Sequence, residues 1–423
     1  MGFLRTYLAV CVVAAHSSPV LPWGTHGGRE AVQIFFAISG FYMQLVLGRG
    51  PGGGKYRSAR AFYASRALRI YPPYFAALLF VAGVSAAWAA ATDTGYWLTL
   101  DRTLRGPAGG GPGAGPAGSA VAVGSNFTLL FQDWVMFLGD DGGGLRLSPD
   151  FRRDAAPLYE FLWIPQCWTV GVELTFYLCA PLLARRASTR TLLVLAAALL
   201  ARVSVYRAAT GAADPWTYRF FPFELTQFVI GMLGCRWMTS GAGGRVCRAV
   251  RAAAVRARAA RPRSAAVGGA IALGAGLWVH LAANGAAQAW AARAWPPAGE
   301  YAYLLSLAGW GVLLPVLFSA TRDDPADRGL GELSYPIYLV HYTVALVVWG
   351  AFVTAAARFP AAAAAAGRAA DGLGLPGGWS GPASAAASIG VAAAAYVALL
   401  RPFEAWRQRW AARRRPAGPA PAG

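Results

Sequence analysis

The sequence predicts an all-α polytopic membrane protein with about ten transmembrane helices. Two observations carry that reading. The first is composition: 56% of the 423 residues are hydrophobic and only 13% are charged, against about 25% charged in a typical soluble domain. Sixteen tryptophans fit the same picture, because indole rings favour membrane–water interfaces. The second is pattern: apolar runs near spanning length alternate with short arginine-rich links. The formal charge of +19 therefore reads as the positive-inside bias of a membrane protein and not as a nucleic-acid surface. Lys55 is the only lysine, and the arginines cluster in the links rather than among exposed aromatics.

In chain order the predicted spans are 3–20, 30–48, 70–91, 166–184, 191–206, 220–238, 266–283, 300–320, 332–353 and 384–401. Each approaches the roughly 20 apolar residues needed to cross a bilayer. The links 49–66, 185–190 and 239–264 and the tail from Arg401 are basic and are placed on one side. An even count then puts both termini in the cytoplasm of a multi-pass inner-membrane protein. Residues 1–410 form one transmembrane domain, and 411–423 a basic, Pro/Ala-rich tail. The long link 92–165 is periplasmic despite five arginines, since long loops cross largely regardless of charge. Within it, 105–119 reads as disordered, and 125–139 as a re-entrant or surface helix too short to span. The Ala-rich stretch 355–370 is expected to extend a helix outward. A signal-peptide layout also fits Arg5 followed by LAVCVVAA, but cleavage would leave an odd count and reverse the basic links. The five cysteines show no C-x-x-C spacing, so neither a disulfide framework nor a metal site is expected.

The costly residues in apolar runs are the functional candidates. His16 follows Arg5 by eleven positions, about 16 Å along a helix, so Arg5 reaches one membrane face while the imidazole sits at membrane depth. With an ordinary pKa of about 6.5, imidazole suits removal of a hydroxyl proton near neutrality; a helix-packing histidine is the structural alternative. Arg66 and Arg69, one turn apart at the head of the third span, present two guanidinium groups together. They suit either bidentate phosphate binding or lipid anchoring. Glu173 lies about seven residues into the fourth span; it would orient His16, bind an acceptor hydroxyl or pair with an arginine. Glu224 is expected to pair with Arg219 at an interface. His341 is second-tier, read as hydrogen bonded to Tyr338 or a backbone carbonyl, and Trp168 as a sugar platform or an interface anchor. Ser39 and Gly40 permit close helix packing. His26 and His280 fall near helix ends and call for no special role.

Six segments in order resemble acyltransferase family 3, the bacterial integral-membrane enzymes that O-acylate sugars and other acceptors. They are Arg5 with His16, AVQIFFAISGFYM (31–43), SRALRIYP (65–72), QCWTVGVELTFYL (166–178), FPFELTQFVIGM (221–232) and LGELSYPIYLVH (330–341). The nearest subset in pattern is the exopolysaccharide and surface-glycan acetyltransferases. The resemblance implies that His16 is catalytic and that Arg66 and Arg69, with Arg5, hold acyl-CoA, acetyl-CoA in particular. It implies a hydroxyl acceptor on a surface polysaccharide or lipid-linked glycan, within membrane lipid and without nucleic acid. A small lipophilic acceptor, or a proton-coupled transporter using His16, Glu173 and His341, are the alternatives. The pattern departs from the family in two places. Only Met1 to Leu4 precede Arg5, which points to a start further upstream, and no hydrolase-like C-terminal domain follows, so transfer would finish within the membrane domain.

Overall fold

The computed structural model describes every residue except 23, 49–55, 57, 94, 106–113, 211–213, 261–275, 277–279, 281–282, 292, 294–295, 374, 376–377 and 414–423. The expected span 266–283 and the tail 411–423 thus lie largely outside the described residues. Among the described residues the chain is all-α apart from one short hairpin, Leu138–Gly139 against Arg146–Leu147. Its helices are α1 (Gly2–His16), α2 (Gly28–Leu47), α3 (Ala59–Thr92), α4 (Asp101–Arg105), α5 (Pro116–Thr128), α6 (Trp168–Arg186), α7 (Thr189–Thr210), α8 (Phe221–Thr239), α9 (Gly241–Ala260) and α10 (283–291). There follow α11 (Pro296–Thr321), α12 (Pro325–Arg358), α13 (Pro360–Gly372), α14 (Ser380–Ala395) and α15 (Arg401–Arg413), the last two joined by a π turn, Tyr396–Leu400.

Among the described residues six helical stretches are long and apolar enough to cross a membrane: Gly28–Leu47, Ala59–Thr92, Pro165–Arg186, Tyr301–Thr321, Pro325–Arg358 and Ser380–Trp406. This is a multi-pass membrane protein; the six stretches answer to six of the ten expected spans, and the expected span 266–283 lies largely outside the described residues. Three other expected spans differ from these six in length or apolarity among the described residues. With 15 residues, α1 is about 22 Å long against a hydrocarbon core of about 30 Å, and among the described residues the apolar stretch of α7 is Thr189–Ala201. Buried Glu224 and Gln227 lower the apolarity of α8.

Three further expectations are corrected. The basic link 239–264 contains a helix, α9, whose arginines lie on an otherwise Ala-rich cylinder. The segment 125–139 is not one helix: α5 ends at Thr128, and Leu129 and Phe131 take φ of 57° and 59°. A 3₁₀ turn over Gln132–Phe137 follows. Part of the stretch read as disordered, from Pro116, is the first turn of α5. The Ala-rich stretch does continue helically, but with a break at Phe359 between α12 and α13.

Packing at the centre depends on small residues. A Cβ on Gly40 of α2 would fall 1.9 Å from the Phe228 carbonyl oxygen, and one on Gly231 of α8 would fall 1.8 Å from that of Ala37. Only glycine lets these two backbones meet this closely. The two glycines are reciprocal, each facing the other helix's main chain. Another helix caps α1: Asp327 accepts hydrogen bonds from the backbone amides of Gly2 (2.8 Å) and Phe3 (2.8 Å) and pairs with the terminal amine at 2.6 Å. It satisfies orphan donors at the positive end of the α1 dipole. The start of α1 is thereby fixed beside the start of α12, and the two helices run side by side.

Candidate active site

Side by side, α1 and α12 bring His16 and His341 together. His341 Nε2 lies 3.2 Å from His16 Nδ1, and the ring centroids are 5.1 Å apart. His341 Nδ1 is 2.7 Å from the Tyr338 carbonyl oxygen. A carbonyl only accepts, so His341 carries its proton on Nδ1, and Nε2 is an acceptor. His16 Nδ1 faces that acceptor and the Val12 carbonyl oxygen at 2.9 Å, so it must be the donor. The network therefore leaves the lone pair of His16 on Nε2. His341 is fully buried, whereas His16, the last residue of α1, is exposed. The apolar run of α12 continues from His341 to Val353, about 18 Å further.

At the other end of the same helices is a cavity of about 590 Å³, within the range of small-molecule sites. Arg5, Arg66, Arg69, Glu173, Tyr177 and Tyr335 are among its walls. Arg66 donates to the Tyr56 hydroxyl at 2.9 Å and lies over the rings of Phe62 and Tyr177. Ser58 caps α3 by accepting from the Ala61 amide, which sets Arg66 and Arg69 on the second and third turns. Pro72 and Pro73 each remove a backbone donor from the α3 ladder, and Pro73 lines the cavity. Glu173 accepts from Ser39 Oγ at 2.7 Å and Tyr177 Oη at 2.5 Å. It stands in this cavity, with His341 in the position at His16 that the sequence reading offered to Glu173.

Between the two ends lies a polar plug. Tyr338 Oη is 2.7 Å from Thr169 Oγ1 and donates to the Gln166 carbonyl oxygen at 2.8 Å. Gln166 Nε2 donates back to the carbonyls of Tyr338 and Leu339. Tyr338 and Thr169 also line the cavity, and the Tyr338 ring lies 5.6 Å from that of His341. One tyrosine thus separates the arginine-lined cavity from the histidine pair.

A family model described as an acyltransferase domain, Acyl_transf_3, matches residues 1–400. The chain belongs to acyltransferase family 3. No curated protein and no solved structure matches it. Membership makes the chain a transferase of acyl groups, and the two-ended arrangement has to be read in that light.

Several candidates stand elsewhere than expected. Glu224 makes no pair with Arg219; it accepts from Gln33 Nε2 at 2.8 Å, because it lies on the α8 face turned to α2. Arg219 instead binds Asp214 through two nitrogens, at 2.7 and 3.1 Å. Trp168 is buried with the Arg219 guanidinium 4.5 Å from its ring centroid, so neither sugar stacking nor interface anchoring describes it. His26 and His280, passed over in sequence, lie against each other. Sequence reasoning also missed Asn126. Its side chain accepts from the Trp163 amide and donates to the carbonyls of Phe161 and Ala122, while its own carbonyl takes the Tyr74 hydroxyl. An asparagine in an apolar stretch was the available signal.

Proposed function

We propose that this acyltransferase moves an acyl group, acetyl in the first instance, from acyl-CoA to a hydroxyl of a surface polysaccharide or its lipid-linked precursor. The Met1 face is cytoplasmic in this reading, and the membrane is the bacterial inner membrane. The carrying observation is the exposed His16 imidazole, whose Nδ1 is engaged by Val12 and His341 and whose Nε2 is left as the base.

The donor's phosphates meet Arg5, Arg66 and Arg69, where guanidinium groups form charge-assisted pairs, and its thioester extends toward Tyr338. The acceptor hydroxyl comes from the opposite face. As its oxygen attacks the thioester carbonyl carbon, its proton passes to His16 Nε2. Collapse of the tetrahedral intermediate breaks the carbon–sulfur bond, and the imidazolium returns the proton to the departing sulfur. His341 acts as a positioning residue: it fixes the tautomer and accepts the Nδ1 proton's hydrogen bond as charge develops. Glu173 holds Ser39 and Tyr177 in the donor wall. Direct transfer needs no acyl-enzyme, because one site is reached from both faces.

Purified protein in detergent, given labelled acetyl-CoA and acceptor, tests the base. His16→Ala should bind CoA normally and lose about 10²–10⁴-fold in transfer rate. Transfer within about threefold of the parent, well short of that loss, would overturn the assignment. The acceptor is tested by proton NMR of surface glycans from a deletion strain: ester-linked acyl groups should disappear, and an unchanged glycan would favour a small lipophilic acceptor. Thiol labelling of Asp141→Cys and Ser240→Cys, both at exposed positions, tests the orientation. Only the first should react from outside the cell.

A further inference from the structure

Away from the histidine pair and the cavity, a second pair of imidazoles meets a carboxylate. His26 lies in the loop between α1 and α2, Glu30 in the first turn of α2, and His280 at a helical position ahead of residues 283–291. One ligand atom from each lies within 4.8 Å of the other two. We propose that these three residues bind one divalent transition-metal ion of the zinc class.

The facing atoms are suited to it. His26 Nε2 and His280 Nδ1 are 3.1 Å apart, and two nitrogens sharing a tetrahedral zinc at about 2.0–2.1 Å lie about 3.3 Å from each other. Two histidines and a glutamate form a recurrent three-ligand zinc set with a fourth position open. The far nitrogens are held as metal-binding imidazoles usually are: Tyr7 Oη is 2.7 Å from His26 Nδ1, and Ser306 Oγ is 3.2 Å from His280 Nε2. With each far nitrogen donating, the facing lone pairs converge on one point.

Glu30 supplies the charge. It is 7% exposed, its hydrogen-bond donor is the Asn284 amide at 3.1 Å, and no ion pair reaches it among the described residues. A buried carboxylate needs a compensating cation or must take up a proton, and a metal bound to it and to two neutral imidazoles provides one. Asn284 also keeps a buried Oδ1 with no hydrogen-bond partner, beside the carboxylate it serves. In place, the ion would tie the loop that follows His16 to α2 and, through Ser306, to α11. No motif announces the site, because His26 and His280 are 254 positions apart.

The test is metal analysis of the full chain purified in detergent without added metal, followed by chelation and thermal unfolding. About one zinc per chain is expected, as for a defined three-ligand site. Chelation should lower the unfolding midpoint and added Zn²⁺ should restore it. Glu30→Gln and His280→Asn should each lose the metal and the restoration. Cobalt loading of the parent gives a readout that does not depend on how the variants fold: visible d–d absorption of a tetrahedral site. No stoichiometric metal together with no midpoint rise on adding Zn²⁺ would overturn the proposal, leaving a Tyr7–His26–His280–Ser306 hydrogen-bond chain. Metal retained equally by both variants would overturn it as well. None of these readouts passes through acyl transfer, so the site stands or falls apart from the assignment of His16.

Discussion

The two ends of α1 are built by different means. At the Met1 end, three arginines, a half-buried carboxylate cap and the walls of a 590 Å³ cavity are gathered from several helices, among them the starts of α1 and α12. At the other end α1 simply stops at His16, and its neighbour is a residue halfway along α12. One end is a container for charge, and the other exposes a single lone pair. In the proposed function, recognition and proton transfer are held apart by the length of one short helix, so each should be removable without the other.

The sharpest break of that comparison is a pair of opposite losses. His16→Ala should abolish transfer by the 10²–10⁴-fold given above while leaving donor affinity intact. His341→Ala should lower kcat less, about ten- to hundredfold, as loss of an orienting hydrogen bond, and should shift the pH–rate profile, since it sets the His16 tautomer. If the profile did not move, His341 would be a packing residue only.

At the other end, Arg66→Ala and Arg69→Ala should each weaken acyl-CoA binding about ten- to hundredfold, from the loss of about 1.5–3 kcal/mol per charged contact. Saturating rates should hold. Lysine should restore part of the affinity, lacking the bidentate fork. Isothermal titration with CoA decides this, and unchanged affinity in both alanine variants would reassign the pair to lipid anchoring.

Asp133 gives a pH-dependent contrast in stability outside both ends. Burial against α6 pushes its carboxyl up to about 7 from an ordinary 3.8. The folded state therefore holds the extra proton between those values, and stability should fall as pH rises from about 4 to about 7 and level off above. The full difference is about 4 kcal/mol as an upper bound. Asp133→Asn should flatten the slope of unfolding midpoint against pH in detergent. An equally steep slope in the variant would place the titrating group elsewhere.

The smallest effect belongs to the hairpin. The Arg146 guanidinium, bonded at 2.6 and 2.5 Å, holds the Asp154 carboxyl below its ordinary range. The stabilisation is present above the unfolded pKa and is lost as pH falls below it. Because Arg146 is partly exposed, Asp154→Asn should cost about 1 kcal/mol or less. Thermal unfolding at pH 7 measures it.

How legible each end is follows from where its information lies. Arg66 and Arg69 are three residues apart on one helix face, and Arg5 opens another apolar run, so local period and charge marked the arginine end in the sequence. The class of fold was legible for the same reason, through apolar runs between basic links. The histidine end was half legible. His16 stood out as an expensive residue, but its partnership with His341 depends on α1 and α12 lying side by side, which no local pattern specifies. Glu173 shows the opposite failure: its cost was visible, and only the direction of its side chain, toward Ser39 and Tyr177, decided which end it served. The broken segment 125–139 was misread because Leu129 and Phe131 adopt left-handed backbone where glycine or asparagine would be the usual signal.

The plug of Tyr338, Thr169 and Gln166 has a consequence for the cell as well as for the reaction. A membrane under 100 mV drives each elementary charge with about 2.3 kcal/mol, and a recess meeting a cavity across a bilayer would be a wet path for ions. The tyrosine hydroxyl, bonded across to Thr169 of α6, stands where such a path would have to pass. Tyr338→Ala should therefore reveal itself first as a leak, read as proton or small-ion permeability of proteoliposomes holding no substrate at all.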